Sequence, residues 1–398
     1  MLFGFFKEKR LDKSITIKIL FRDSNFVLSA PQQNCSIFNR VFEPTGRLWS
    51  SSIETGIDPS NLFKNLTDSV TLEIDEGLIN KWGNTISSQN SNFLNKNDCC
   101  ITIEKRQRYY QNNEGIKQDL VTTWCSITLA QKNLEHIETV TDGISCIEGV
   151  NQIIESCLNE LNKRSDLIFA QKGKSQLFKK ENLVLSPTVA AVLFHELIGH
   201  GSEEIDLWTS SFPLVGPKYM QILSKHPNQN GFDDEGVPIS EVQLVNNGYM
   251  VKFPIDREQV SKNGGYPSGL CQAATHGRSP RVRCTHLKVF GGQTDPEYLI
   301  ANVNKGIFCF ATSGAEFHQG FTVVRVKGAR RIENGELGTV VSPFIFIINL
   351  PELQYHLTEL ANDSRIGRSA HCVKYGEAIP TQTQAPSTLL TDIPVFIQ

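Results

Sequence analysis

The chain has no field of single-sign charge: 39 lysines and arginines stand against 42 aspartates and glutamates, a formal net charge of −3 spread over 398 residues. Nucleic-acid binding usually needs a basic face, and peripheral membrane anchoring a polybasic segment; neither is present. Also missing is any apolar run near the ~20 residues that a spanning helix requires. The opening Met1-Leu2-Phe3-Gly4-Phe5-Phe6 meets Lys7-Glu8-Lys9-Arg10 at once, which is too short and wrongly ordered for a secretory signal. The ten cysteines are scattered, and only Cys99-Cys100 is a close pair. Adjacent strand residues point to opposite faces, so that pair is a poor metal site, and the cysteines read as reduced thiols of a cytoplasmic protein. Gly173-Lys174-Ser175 has the end of a phosphate-binding loop but lacks its upstream glycine, which excludes that reading.

What remains is the composition of an ordinary globular protein, long enough for more than one core. The polar stretch Gln171-Lys172-Gly173-Lys174-Ser175 reads as a linker, dividing the chain into residues 1–175 and 176–398. The first part reads as an α+β domain that scaffolds or grips something. Its expected strands are Val70–Ile74, Cys100–Arg106 and Val121–Leu129, its expected helix Ile147–Leu161, and Ser87–Asp98 an expected loop. In the second part β signals dominate. Asn-Gly turns at Asn246-Asn247-Gly248 and Glu333-Asn334-Gly335 predict hairpins, Val340–Leu350 a central strand, and Pro351–Asp363 a helix. The fold class is thus α+β, with a β-rich second domain entered through one buried helix.

That helix carries the chemistry. Ser186-Pro187 reads as an N-cap followed by proline at the first helical position, opening an apolar run from Val189 through Phe194. At its end stand His195-Glu196-Leu197-Ile198-Gly199-His200-Gly201-Ser202-Glu203. In the common zinc helix two histidines four apart share one face; here they are five apart. Both imidazoles can reach one metal only if the helix widens into a π-type turn or breaks at Gly199-His200-Gly201. Two histidines and a glutamate on the end of a buried helix are costly unless a metal, a hydrogen-bond network or a solvent-filled cleft receives them, and a cleft with a metal is the economical answer. Glu196, next to a ligand in sequence, is placed to act as a base.

Two histidines leave a catalytic metal site one protein ligand short. The candidates are Glu203, His276, His286, His318, His371, Cys372 and several other cysteines, and spacing does not choose among them. Glu203 either becomes a ligand at a sharp turn or orients an imidazole from behind.

The segment Phe194 to Glu203 resembles the signature of the TldD/PmbA metallopeptidases, specifically TldD-type subunits that retain the metal motif. Four downstream segments are similar in the same order. Asp233-Asp234-Glu235-Gly236 with the Val245-Asn246-Asn247-Gly248 hairpin comes first, then Pro280-Arg281-Val282 with Leu287, Ile332-Glu333-Asn334-Gly335, and Cys372-Val373-Lys374-Tyr375-Gly376. The resemblance runs from about Leu183 to Val395 and is loose before residue 170. It implies that Cys372 completes the metal site, an assignment that Lys374 would support by favouring the thiolate. Val373 departs from the family's glycine, and His371 is a competing ligand that should face the opposite way. Arg283-Cys284 departs from its usual small and amide residues, which bears on substrate preference.

By this resemblance the chain is a metallopeptidase acting on unfolded or extended peptides. A divalent metal, zinc or alternatively iron, is held by His195, His200 and Cys372 and activates water, with Glu196 as general base. Arg281 and the hairpin edges would hold the peptide by strand addition. His276, His286 and His318 read as structural. The resemblance also implies a two-fold pair, either a homodimer or a heterodimer with a PmbA-type subunit. The alternatives are a non-catalytic peptide-binding scaffold subunit and an amide hydrolase of small molecules.

Overall fold

The computed structural model describes residues 6–397 apart from 23–24, 44–47, 56–71, 73, 89–96, 133–136, 171–179, 204–212, 229, 275–277 and 368–369. The proposed linker at 171–175, most of the Val70–Ile74 strand and most of the Ser87–Asp98 loop lie outside them. Of that expected strand, Leu72 and Ile74 are described and belong to no strand.

The first half comprises β1 (Phe6–Arg22), β2 (Asn25–Leu28), β3 (Gln32–Glu43), β4 (Leu48–Thr55), α1 (Glu76–Ser88), β5 (Asn97–Asn112), β6 (Lys117–Lys132), β7 (Ile137–Ile144) and α2 (Val150–Ala170). The strands form one antiparallel sheet in the order β4-β3-β1-β5-β6-β7, with β2 folded back on β1. Alternation explains its inner face. Ile17, Ile19 and Phe21 of β1, Ile101 and Ile103 of β5, and Ile127 and Leu129 of β6 point one way, onto Ile79, Trp82 and Ile86 of α1 and Ile154, Leu158 and Leu161 of α2. Burial of each such side chain contributes about 1.5–3 kcal/mol. The expected strands at 100–106 and 121–129 lie within the longer β5 and β6, and the expected helix starts three residues later, at Val150. Cys99 is buried while Cys100 is partly exposed, as neighbours on a strand should be.

The second half opens with β8 (Lys180–Leu185), α3 (Pro187–Phe194), a π-helical turn (His195–His200) and α4 (Gly201–Glu203). There follow β9 (Ile222–Lys225), β10 (Val242–Asn246), β11 (Tyr249–Met250), α5 (Arg257–Asn263), β12 (Cys271–Gln272), β13 (Arg281–Val282), β14 (His286–Val289) and α6 (Pro296–Ala301). The remainder is β15 (Lys305–His318), β16 (Phe321–Glu333), β17 (Glu336–Val340), β18 (Phe344–Asn349), α7 (Leu350–His356), β19 (Leu357–Leu360), β20 (Arg365–Ile366), β21 (Ala370–Lys374), β22 (Glu377–Ala385) and β23 (Thr388–Ile397). Strands β15-β8-β23-β18-β16 pair in that order and β16 returns to β15, so five strands close into a barrel. A second sheet runs β11-β10-β9-β14-β22-β20, with β21 folded back along β22. Helix α3 packs on both β15 and β22, between barrel and sheet, and Val189, Ala190, Leu193 and Phe194 are buried in their shared core. The fold is α+β with a β-rich second half.

Both Asn-Gly turns are present: Asn247 and Gly248, like Asn334 and Gly335, have positive φ, which suits a tight hairpin. Three expectations need correction. Ser186 occupies the N-cap, but its hydroxyl makes no cap bond and lies 3.4 Å from the carbonyl of Phe310 on the barrel instead. The expected Val340–Leu350 strand narrows to Phe344–Asn349, because Pro343 offers no N–H to a ladder. The expected helix at 351–363 ends at His356 and becomes strand β19. Leu353, Leu357 and Leu360 have helical spacing, yet a register shift between Leu357 and Glu359 brings Leu357 and Leu360 to one buried side of a bulged strand.

A buried ionic seam joins the halves. The even-numbered residues Glu8, Arg10 and Asp12 of β1 face away from the isoleucine core and are buried all the same. Arg40 reaches Glu8 and Glu235, each at 2.7 Å, while Arg108 reaches Asp12 at 2.6 Å and also Asp234. Asp233 shapes the acidic turn by accepting the backbone N–H groups of Glu235, Val237 and Cys271, each at 2.9 Å. Arginine in turn holds Asp12 and Asp234 below the usual carboxylate range, against the opposing effect of burial.

Candidate metal centre

At Phe194 the α-helix ends and the chain widens into the π-turn His195–His200. A regular helix would swing a side chain five positions on well round the axis, whereas i→i+5 hydrogen bonding returns it above the first. The two imidazoles accordingly lie 4.9 Å apart, centroid to centroid. The glycines serve packing more than backbone freedom. Gly201 has ordinary helical angles, φ −61° and ψ −34°. A methyl group on Gly199 would come within 3.3 Å of Leu287 and 3.4 Å of the Cys284 carbonyl, and one on Gly201 within 3.3 Å of Leu350.

Cys372 arrives on β21, the outer arm of a hairpin whose turn, Tyr375-Gly376, has positive φ at both residues. Its Sγ lies 3.1 Å from His200 Nε2, and one ligand atom from each of His195, His200 and Cys372 falls within 4.8 Å of the others. All three residues are buried. His195 Nδ1 lies 3.4 Å from Thr381 Oγ1, while its Nε2 is buried with no hydrogen-bond partner among the described residues. A buried nitrogen lone pair left open beside a second imidazole and a thiol is what a metal ion would satisfy, so the residues fit a three-ligand site with a position left over.

The surroundings favour that state of the ligands. Burial would raise the Cys372 thiol, but the imidazoles of His195 and His200 outweigh it and draw the thiol down to about 5. Glu203 sits behind His200, its Oε2 2.9 Å from Nδ1, which leaves Nε2 facing the cysteine. The Cys284 N–H at 2.7 Å and Lys374 Nζ at 3.0 Å also bind Glu203. Against burial, these contacts hold its carboxyl well below the usual range. Glu196 lines the open side, Oε2 3.8 Å from His200 Nε2; burial raises its carboxyl, and the two histidines offset this only in part.

The remaining expected residues fall elsewhere. Lys374 pairs with Glu203, and the imidazoles are the leading groups that lower the thiol. His371 faces away from Cys372 and sets its ring edge-on to Trp124 of β6, with 6.1 Å between centroids. Arg281 is exposed, its guanidinium 4.8 Å from the ring of Tyr375. His276 is outside the described residues, His286 bonds Thr285, and His318 is exposed at the end of β15. Arg283, one of the departures from the family pattern, is buried with Nη2 3.1 Å from Cys372 Sγ. Nothing local in sequence signals that contact. A cleft of about 620 Å³ opens over the triad, with Glu196, Ser313 to Phe317 of β15 and His371 to Lys374 of β21 among its walls.

Residues 179–396 match a family model described as the PmbA/TldA metallopeptidase C-terminal domain. A metalloprotease of Synechocystis is 26% identical over 267 residues, 64% of this chain and 56% of that protein. A zinc metalloprotease TldD homolog of Saccharolobus solfataricus is 26% identical over 196 residues, 46% of this chain and 44% of that protein. The chain spans about half the length of the curated relatives it matches. In fold it is similar to TldE from Thermococcus kodakarensis, with TM-score 0.71 at 13% identity over 98% of this chain and 96% of that one. A putative modulator of a DNA gyrase from Thermotoga maritima gives TM-score 0.70 at 14% identity over 99% and 96%.

Proposed function

The chain belongs to the PmbA/TldA metallopeptidase family, by a match that covers more than half of it, and on that premise we propose that it is a metal-dependent peptidase acting on extended peptides. The observation that carries the reading is the convergence of His195, His200 and Cys372 on one point, with the Glu196 carboxylate beside it in an open cleft. A divalent metal held there, zinc by the nitrogen and thiolate donor set and iron as the alternative, would polarise a scissile carbonyl and acidify water. Glu196 takes the proton from the attacking water and delivers it to the leaving amine, and a carboxyl raised by burial is the better matched to that shuttle. Glu203 fixes the tautomer of His200 throughout.

The cleft walls suit an extended chain. Strand β15 pairs β16 as far as His318, but among the described residues its other edge pairs β8 only at Ile307–Cys309, so there residues 312–317 offer an open edge beside the triad. On the opposite wall β21 pairs only β22 among the described residues. A peptide laid between them gains main-chain hydrogen bonds with little side-chain selection. Arg281 would bind substrate at the rim, and residues 1–175 would form a domain that grips it, since Trp124 already touches His371. Among the described residues no helix is long and apolar enough to cross a membrane. The same reading makes the protein cytoplasmic and the catalytic member of a two-fold pair, with another copy or a PmbA-type partner.

The test measures bound metal and cleavage of unfolded peptides by wild type and Glu196→Gln. Both should retain metal, and the variant should be slower by about 10²–10⁴. A scaffold subunit needs no base, so equal inactivity of both forms, with each candidate partner supplied, would overturn the peptidase.

A further inference from the structure

Arg283 is 1% exposed, an expensive place for a guanidinium without an anion. Its backbone is fixed on both sides: the N–H donates to Leu270 O at 3.2 Å, and the carbonyl accepts from Gln272 Nε2 at 3.0 Å. From that anchored position Nη2 lies 3.1 Å from both Cys372 Sγ and Cys372 O. Nε and Nη1 are buried with no partner among the described residues. The side chain therefore sacrifices part of its hydrogen bonding, and its described side-chain contacts by hydrogen bond are both to one residue. The next residue braces the other side of the triad, because the Cys284 N–H holds Glu203 and Glu203 holds His200.

We propose that Arg283 is a positioning residue for the third ligand: it aims the Cys372 sulfur at His200 and, by donating to that sulfur, makes it a weaker electron donor to the metal. The inference rests on the His195, His200, Cys372 metal site proposed above. Strand β21 is an outer hairpin arm and would otherwise leave Sγ free to turn; two bonds from one guanidinium fix both the sulfur and the backbone that carries it. A donor on a ligand sulfur also withdraws charge from the metal–sulfur bond, leaving the metal the stronger Lewis acid. Both bonds leave the one nitrogen Nη2, so a lysine ammonium that reached the same point would keep part of the effect.

Cobalt(II) reads this directly, because thiolate-to-cobalt charge transfer gives a near-ultraviolet band whose energy follows the sulfur's electron density. The full chain, Arg283→Met, Arg283→Lys and Cys372→Ala are loaded with cobalt. Wild type should show the band and Cys372→Ala should lack it. Arg283→Met should move it to lower energy, and Arg283→Lys should move it less. An arginine needed only for folding would lower the melting temperature and leave the band in place, so an unmoved band in folded Arg283→Met overturns the inference alone. Should Arg283→Met fail to fold, Arg283→Leu, which likewise removes every donor, carries the same readout. If wild type gives no band beyond that of Cys372→Ala, the metal site itself is overturned, and this inference with it.

Discussion

At the seam between the two halves, buried charges meet their opposites: Arg40 lies between Glu8 and Glu235, and Arg108 between Asp12 and Asp234. At the candidate metal centre, two imidazoles and a thiol face each other, with a nitrogen of His195 that has no hydrogen-bond partner among the described residues. The arginines and carboxylates of the seam serve as one another's counter-ions, whereas the triad keeps an open nitrogen of the kind the proposed metal would take. Burial and polarity are common to both; complementarity separates a structural cluster from a binding one.

The comparison breaks if the seam proves dispensable. Arg108→Ala leaves Asp234 without its paired cation and Asp12 with Arg10 alone, and urea unfolding should show a loss of about 3–5 kcal/mol. A cost near that of an ordinary surface change would refute the seam as a structural joint. At the triad the expected effect comes from metal. Wild type saturated at about 100 times its dissociation constant should gain about 2.7 kcal/mol over chelator-treated protein, and Cys372→Ala should gain much less. Equal gains would assign the metal to other residues. Glu203→Gln keeps the size of the side chain but removes the charge behind His200, and chelator competition should record metal binding weakened about 10–100-fold; unchanged affinity would reduce Glu203 to a packing residue.

The smallest effect concerns an imbalance at the seam's edge. Asp256 caps α5, and burial together with nearby Glu235 raises it from 3.8 to about 6. Its folded value exceeds its unfolded one, so its contribution to stability is present below about pH 4 and is lost as pH rises through about 6. Asn cannot ionise but still offers a capping oxygen, so between pH 4 and 7 the stability of Asp256→Asn relative to wild type should rise by something on the order of 1–2 kcal/mol. Parallel urea midpoints across that range would show that Asp256 carries no such strain.

Much of the local structure was legible. The five-residue spacing of His195 and His200 foretold the widened turn, since backbone geometry alone decides where an imidazole points. Asn247-Gly248 and Asn334-Gly335 foretold their hairpins because few residues accept positive φ. Local pattern misled at Leu357 and Leu360, where a bulge made strand residues three apart share a side, as helical residues would. Spacing left the third ligand open among His276, His286, His318, His371, Cys372 and others, and only the family resemblance picked Cys372. Arg283 stood out only as a departure from the family pattern, and nothing in the sequence marked Arg10, Arg40 and Arg108 as buried.

The sequence by itself thus determined the buried helix, its widened end and the turns of the β-rich half, all properties that neighbouring residues impose through φ, ψ and periodicity. Only the tertiary structure decided which distant partners those elements meet: Cys372 on His200 across 172 positions, Arg283 on Cys372 across 89, and Arg40 on Glu235 across 195. Such pairs depend on strand register and sheet order summed over the whole chain, and a hydrogen bond between two side chains leaves no mark on the residues beside either of them.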